Sequence, residues 1–348
     1  MDNHVRLVLK ENVLAVLSDA ELSAVSGAIH NGGFRRTCAI VNTEVPDSYG
    51  DRKLHDDPIA FVLASARKLD VPPEFVGLVT AAKIQKFSLV KKSEGDLAVS
   101  VVATAGCSHS ESAGERIDVE EIAGTINVMI VVDGDPTESC LVALLATAVE
   151  AKAAAMRELD IRSRYTGDSA TGTITDSVVV AATNRGGRIV LGGPASELGQ
   201  LIGSCVRQAV REAINNQGEC FPCRSLVDRL RERHLSVDKL VLELCKIKSL
   251  GLDESVIASK LLGILKDPIA AFVVLAAVKQ DEDVARGLVP PEFGDVDVLA
   301  KHFGNALVAG KPVNEEDFGS VNLSPFLREA LVGLLMTEVY EGNSESLK

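Results

Sequence analysis

The chain has 348 residues, 46% hydrophobic and 24% charged, a length at which two domains are expected rather than one core. Its 36 basic against 49 acidic side chains leave a net charge of -13, which argues against a nucleic-acid backbone or an anionic membrane as the main partner. The acidic opening "MDNHVRLVLKENVLAVLS" is unlike a signal peptide, and the apolar run Ile269–Val278 is about half a bilayer span, so the chain reads as cytoplasmic.

In chain order, β-branched runs bounded by turn residues predict strands at Thr37–Val45, Asp96–Gly106, Gly124–Gly134 and Asp176–Thr183. Helical segments lie between them. "DDPIAFVLASARKL" opens with acid and proline, and "DPTESCLVALLATAVEAKAAAMREL" does the same at Asp135–Pro136 before running to Leu159. Ser196 is the expected N-cap of a third helix that ends at "NNQG". This alternation predicts an α/β or α+β layered domain over residues 1–217. After "NNQGECFPC" six segments from Leu226 onward carry helical spacing, each starting near Ser or Asp, which predicts an all-α domain over residues 222–348. The boundary falls within Asn216–Cys223. The two "DPIA" starts, at Asp57 and Asp267, precede Pro-Pro by unequal intervals and do not form a stacked repeat.

Seven irregularly spaced cysteines do not suggest a disulfide framework. Only Cys220 and Cys223 have metal-like or redox-like spacing. With His234 and Cys245 as the nearest further ligands, the pattern is unlike paired zinc motifs, and two ordinary thiols are expected.

Four polar segments punctuate the first domain. "IHNGGF" carries Gly32 and Gly33, "TAGCSHSESAGE" carries Ser108 and His109, and "AGTINV" carries Thr125 and Asn127. The fourth, "SATGTITDS", places a hydroxyl at every second residue from Ser169 to Ser177. In a regular strand Thr171, Thr173 and Thr175 share one face, with Gly172 and Asp176 on the other. Loops at strand ends commonly hold binding groups; turn chemistry and a solvated Thr-rich strand are the alternative. Between Cys140 and Met156 the only non-apolar side chains are Thr147, Glu150 and Lys152. Glu150 and Lys152 lie about 200° apart on a helix and cannot pair with each other. A buried Glu150 needs a partner from elsewhere, which makes it a candidate carboxylate; a solvated edge is the alternative.

The ordered blocks "LSDAELSAVSGAIHNGG", "VGLVTAAK", "TAGCSHSESAG", "GTINVMIVV", "ATAVEAKAAAM", "TGDSATGTITDSVVVAAT" and "GPASELGQLIGSCVRQAV" resemble the adenosylcobinamide amidohydrolase family over Leu17–Ala213. "GTIN", "EAK" and "SATGTITD" are the most specific. The resemblance implies a corrinoid substrate, adenosylcobinamide, whose aminopropanol amide is hydrolysed to give adenosylcobyric acid. His109 stands where the family usually carries Asn. The resemblance fixes no catalytic assignment, so roles are expected from the chemistry of amide hydrolysis. Glu150 or Asp176 is the expected general base on water. Asn127, Thr125 and the backbone around Gly172–Thr173 are oxyanion donors, and His109 is the acid for the leaving amine. A Thr173 or Thr175 nucleophile is the alternative. Thr125, Thr171, Gly172, Thr173, Thr175, Gly32, Gly33 and Ser108 are the expected substrate contacts, and no cofactor or metal is expected in this domain.

The helical half resembles, more weakly, the family of phosphatidylglycerophosphatase A and archaeal-type α-ribazole-5′-phosphate phosphatases, from Leu226 to Gly342. That resemblance implies a second activity on α-ribazole-5′-phosphate and a divalent metal such as Mg²⁺, with Asp267, Glu329 and Glu338 as candidate ligands. Glu329 and Glu338 lie on opposite helix faces, and Asp267 before Pro268 is also a helix cap. A helical accessory or dimerisation module is the alternative. A corrinoid-binding protein without turnover is the alternative for the whole chain. The oligomeric state, self-association included, stays open.

Overall fold

The computed structural model describes residues 4–46, 57–69, 71, 73–116, 124–218, 223–307 and 320–337. The chain divides into two compact units, residues 1–223 and 224–348. The first is a mixed α/β layered domain and the second is all helical, the fold class read from the sequence.

The first unit is built on one eight-stranded sheet. Its strands are β1 (Val5–Lys10), β2 (Val13–Ser26), β3 (Gly33–Glu44), β4 (Val76–Thr80), β5 (Ser88–Glu94), β6 (Leu97–Ala105), β8 (Ile126–Asp133) and β11 (Ser177–Ala182). The order is β4-β3-β2-β11-β8-β6-β5, and β1 pairs with the first half of β2. Pairs β3–β4 and β8–β11 are parallel and the rest antiparallel. The central strand β8, "INVMIVVD", is apolar on both faces because both are covered.

Helices α2 (Glu138–Glu158) and α3 (Glu197–Asn216) cover one face through Leu141, Leu144, Ala148, Met156, Ile202, Val206 and Val210. Helix α1 (Pro58–Ala66) packs Val62 and Ala66 against Val13, Ala15 and Val41. The sheet curls so that β4 meets β8, which is not its neighbour: Asn127 Nδ2 donates to the Val79 carbonyl at 2.8 Å. Inside the curl lies a second core around Leu14, Ile40, Leu78, Met129 and Val179. Register shifts between Leu17 and Leu22, where Ser18, Asp19 and Glu21 interrupt the apolar pattern and bend the β2–β3 pair.

Ser196 caps α3 as its sequence predicts, accepting from the Gly199 N–H at 3.1 Å. For α2 the start differs. Asp135–Pro136 form a two-residue strand, β9, paired with Arg188–Ile189, β12, and Thr137 is the cap, accepting from the Cys140 N–H at 3.1 Å. Among the described residues α2 is the one helix long and apolar enough to cross a membrane, and half of its apolar window is buried in this core.

The second unit comprises α4 (Leu226–Arg231), α5 (Val237–Leu244), α6 (Glu254–Lys266), α7 (Pro268–Ala285), α8 (Val296–Leu307) and α9 (Pro325–Met336). Each of the six helical segments expected from the sequence overlaps one of them, with α6 running on to Lys266 and α7 to Ala285, past the expected ends. Helix α9 is buried on nearly all sides, from Phe326 to Leu335. Its N-terminus is held by Asp281 of α7, whose carboxylate accepts from the Phe326 N–H (2.9 Å), the Leu327 N–H (2.8 Å) and Ser324 Oγ (2.6 Å). Asp57 and Asp267 each cap a helix in the same way, accepting from the Ala60 and Ala270 N–H groups, both at 2.8 Å.

Candidate active site

Three loops meet at the end of the sheet where β6 finishes and β8 and β11 begin. The first follows β6 and contains β7 (Ser110–Glu111); the second is Gly124–Thr125; the third contains β10 (Gly172–Thr173), which pairs with β7. Gly124 allows the first two to meet. Its φ is +89°, and a Cβ there would stand 2.9 Å from the Gly106 carbonyl oxygen and 3.0 Å from Ser108 Oγ.

The hydroxyl-rich run does not form a regular strand. After β10 the chain turns at Ile174–Thr175 before β11 starts at Ser177. The turn brings Asp176 back onto Thr173, so the expected division of three threonines on one face and Asp176 on the other is not kept. Thr173 Oγ1 and Ile126 N–H donate to Asp176 Oδ1, the latter at 2.8 Å. Thr173 N–H donates to Oδ2 at 3.0 Å, and Lys152 Nζ of α2 donates to the same oxygen. Lys152 and Asp176 are thus an ion pair with side chains only 9% and 11% exposed.

Gly172 is required beside this pair. A Cβ there would collide with both the Asp176 carboxylate and the Lys152 ammonium. The buried Thr125 Oγ1 lies 2.7 Å from Oγ1 of the exposed Thr175, and Thr171 Oγ1 accepts from the Ala113 N–H at 3.0 Å. Thr173 is buried against Gly124 and Asp176, without an open face for substrate.

His109 is buried, and Arg164 Nη1 donates to its Nε2 at 2.8 Å. A guanidinium can only donate, so Nε2 is the accepting nitrogen and the ring proton lies on Nδ1, 3.4 Å from Ser108 Oγ. An acid role for His109 would therefore use Nδ1 rather than Nε2.

Four expected residues lie elsewhere. Glu150 is exposed, in an open groove of about 880 Å³ between α2 and α3 with Glu158, Arg207 and Arg211. The solvated alternative holds for it, because the helix turns it away from Lys152. Asn127 is buried inside the curl, where its Nδ2 bonds Asn42 Oδ1 at 2.9 Å and the Val79 carbonyl, so it offers no donor to the loops. Gly32 and Gly33 form the β2–β3 turn, beside His30, which exchanges backbone bonds with Gly77. A Cβ on Gly32 would strike the Ala28 carbonyl oxygen, and Gly33 has φ +79°, so turn geometry accounts for both glycines.

The residue that sequence reasoning missed is Glu111. Burial raises its carboxyl above the ordinary range, and the Glu115 and Asp176 carboxylates raise it further against the opposing Lys152 ammonium. For Glu115, burial acts in the same direction but is outweighed. Ser163 Oγ (2.6 Å), Thr166 Oγ1 (2.5 Å) and Ser112 N–H (3.1 Å) donate to it and hold it below its ordinary value.

In the helical unit, Asp267 is occupied as a cap, and Glu329 is buried in the α8–α9 contact beside Gly304 and accepts from Arg328 Nη2 at 3.2 Å. Glu338 and Cys220 lie outside the described residues. Among the described residues no cluster of three His, Cys, Asp or Glu side chains could hold a metal. Asp267 and Glu329 do not fit the divalent cation that the resemblance implies, since both are committed to helix capping and packing.

The adenosylcobinamide amidohydrolase family model matches residues 2–221, ending before the helical unit. An adenosylcobinamide amidohydrolase of Methanosarcina mazei is 28% identical over 222 residues, 61% of this chain and 98% of that protein. An uncharacterized protein of Methanocaldococcus jannaschii is 28% identical over 209 residues, 53% of this chain and 80% of that one. A solved Pyrococcus horikoshii structure aligns with a TM-score of 0.31 at 11% identity, covering 62% of this chain and 82% of its own. With its family match covering well over half its length, the chain belongs to the adenosylcobinamide amidohydrolase family.

Proposed function

We propose that the N-terminal unit hydrolyses the amide joining the aminopropanol arm of adenosylcobinamide to the corrin ring, releasing adenosylcobyric acid. The observation that carries this reading is the buried Lys152–Asp176 pair, which joins the "EAK" segment of α2 to the loop of the "SATGTITD" block, beside the "GTIN" segment whose Ile126 N–H bonds Asp176. An ammonium fixed in a partly desolvated site stabilises the oxyanion that forms when water adds to an amide. Asp176, saturated by four donors, acts as the positioning residue for Lys152 rather than as a base. Thr175, Thr171 and Ser108 lie around the rim, where hydroxyls match the amides of a corrin periphery, with the buried Thr125 behind Thr175.

Incubating the full chain with adenosylcobinamide and following the products by mass spectrometry tests the proposal. Adenosylcobyric acid and aminopropanol are expected; corrinoid binding without conversion would replace the enzyme by a carrier. The second activity, on α-ribazole-5′-phosphate, has the resemblance of the helical unit as its sole support and no metal-ligand set among the described residues. The proposal is therefore confined to amide hydrolysis.

A further inference from the structure

Gly172 and Glu111 face each other across the antiparallel β7–β10 ladder, and such partners project to the same side. The glycine identifies that side, because its missing Cβ points at the Asp176 carboxylate and the Lys152 ammonium. Glu111 therefore leaves its strand toward the ion pair, over a position that carries no side chain. It is half-buried. Among the described residues no hydrogen bond reaches its carboxylate, whereas Asp176 accepts four and Glu115 three.

We infer that Glu111 is the general base of the amide hydrolysis, taking a proton from the attacking water and delivering it to the departing amine. The inference rests on the amidohydrolase reading of this site. The water oxygen bonds to the amide carbon while Glu111 takes one proton, and the carbonyl electron pair moves onto oxygen opposite Lys152. When the oxyanion collapses, the C–N bond breaks and its electron pair stays on nitrogen, which receives the proton from Glu111. The products are a carboxylic acid and an amine, which exchange the acid proton in water, and Glu111 ends ionised as it began.

The surrounding charges suit this task. Burial, and then the Glu115 and Asp176 charges, raise the proton affinity of the Glu111 carboxylate and make it a stronger base, while the Lys152 ammonium opposes that rise. Arg164, whose N–H bonds the Ser110 carbonyl at 2.9 Å, directs its guanidinium to His109.

The test uses the full chain with adenosylcobinamide, comparing wild type with Glu111→Gln and Glu111→Ala in kcat, KM and pH profile. Both variants are expected to lose about 100-fold or more in kcat, with KM within about threefold, and to lose the acid limb of kcat/KM. Formate is expected to restore part of the Ala variant's rate and none of the Gln variant's. A variant that merely folds poorly would turn over less but keep the acid limb, so an intact limb overturns the assignment. So does a Gln variant within about threefold of wild type. Either result leaves the amidohydrolase reading standing; absence of conversion by wild type overturns that reading and this assignment together.

Discussion

Lys152 of α2 donates its ammonium to Asp176 across the start of β11, and the carboxylate is also held by Thr173 and the Ile126 N–H. The two charges depend on each other unequally. Asp176 keeps three donors if Lys152 is removed, whereas an ammonium without Asp176 loses the carboxylate that bonds it. Removing one member of a buried pair costs about 3–5 kcal/mol when nothing compensates. Asp176→Asn is expected near that range, and Lys152→Met at about 2 kcal/mol, because the remaining donors share the charge. Urea melts of the two variants measure the difference. Equal losses would show that the surrounding donors do not bear on Asp176.

Gly172→Ala is expected to abolish turnover and to destabilise by about 1–3 kcal/mol, as overpacking does. Its added methyl has no space except that of the Lys152 and Asp176 heads. Gly33→Ala is the matched control. Its φ is +79° but nothing lies within 4 Å of a Cβ there, so a backbone penalty of about 1 kcal/mol and near-normal activity are expected. Activity assays beside thermal melts separate the two. A fully active Gly172→Ala protein would place the reacting amide away from the pair.

Much of this architecture was legible because apolar runs such as "INVMIVVD" need burial on two faces, and because Ser196, Asp57 and Asp267 announce helix starts. Strands β1, β2, β4 and β5 were not. In β2 the segment Ser18–Glu21 breaks the alternation, and β5, "SLVKKSE", is an edge strand whose charges disguise it. Asp176, Thr125 and Thr173 were legible as one neighbourhood from their blocks. The partner of Lys152 was not, because helical spacing says which residues cannot pair but nothing about a loop folding back. Glu111 was hidden for a sharper reason: a two-residue strand leaves no periodicity, and only its register with Gly172 shows where it points.

Glu150→Gln is expected to turn over within about twofold of wild type, because an exposed charge in an open groove contributes little to a distant oxyanion. Steady-state rates decide this. A loss of 100-fold would return Glu150 to the reaction and move the site toward the α2–α3 groove.

In the helical unit, Asp281→Ala removes three acceptor contacts at the start of the buried helix α9, where Ser324 itself donates to the carboxylate instead of capping. A loss of about 2–3 kcal/mol is expected, since two backbone N–H groups are left partly buried without acceptors. Hydrogen exchange on the full chain reads it directly, as faster exchange across Pro325–Met336 with the amides of α2 and α3 unchanged. Unaltered protection would mean that packing alone holds α9.

The Glu115 clamp sets a pH dependence of known sign. Its carboxylate sits below the ordinary value because Ser163, Thr166 and Ser112 bond the ionised form more strongly than burial opposes it. A depressed carboxyl contributes stability that is fully present above its unfolded-state pKa and is lost as pH falls through its folded-state one. Glu115→Gln cannot accept at both positions, so about 1–2 kcal/mol of that contribution is expected to disappear at neutral pH. The gap between wild type and variant in urea melts should therefore be constant near neutrality and close on acidification. A gap that widened as pH fell would reverse the sign and mean that burial, not the three donors, governs this carboxylate. Because the clamp joins the loop carrying Glu111 to the loop before β10, its acid failure should also loosen the β7–β10 ladder that aims Glu111 at the ion pair.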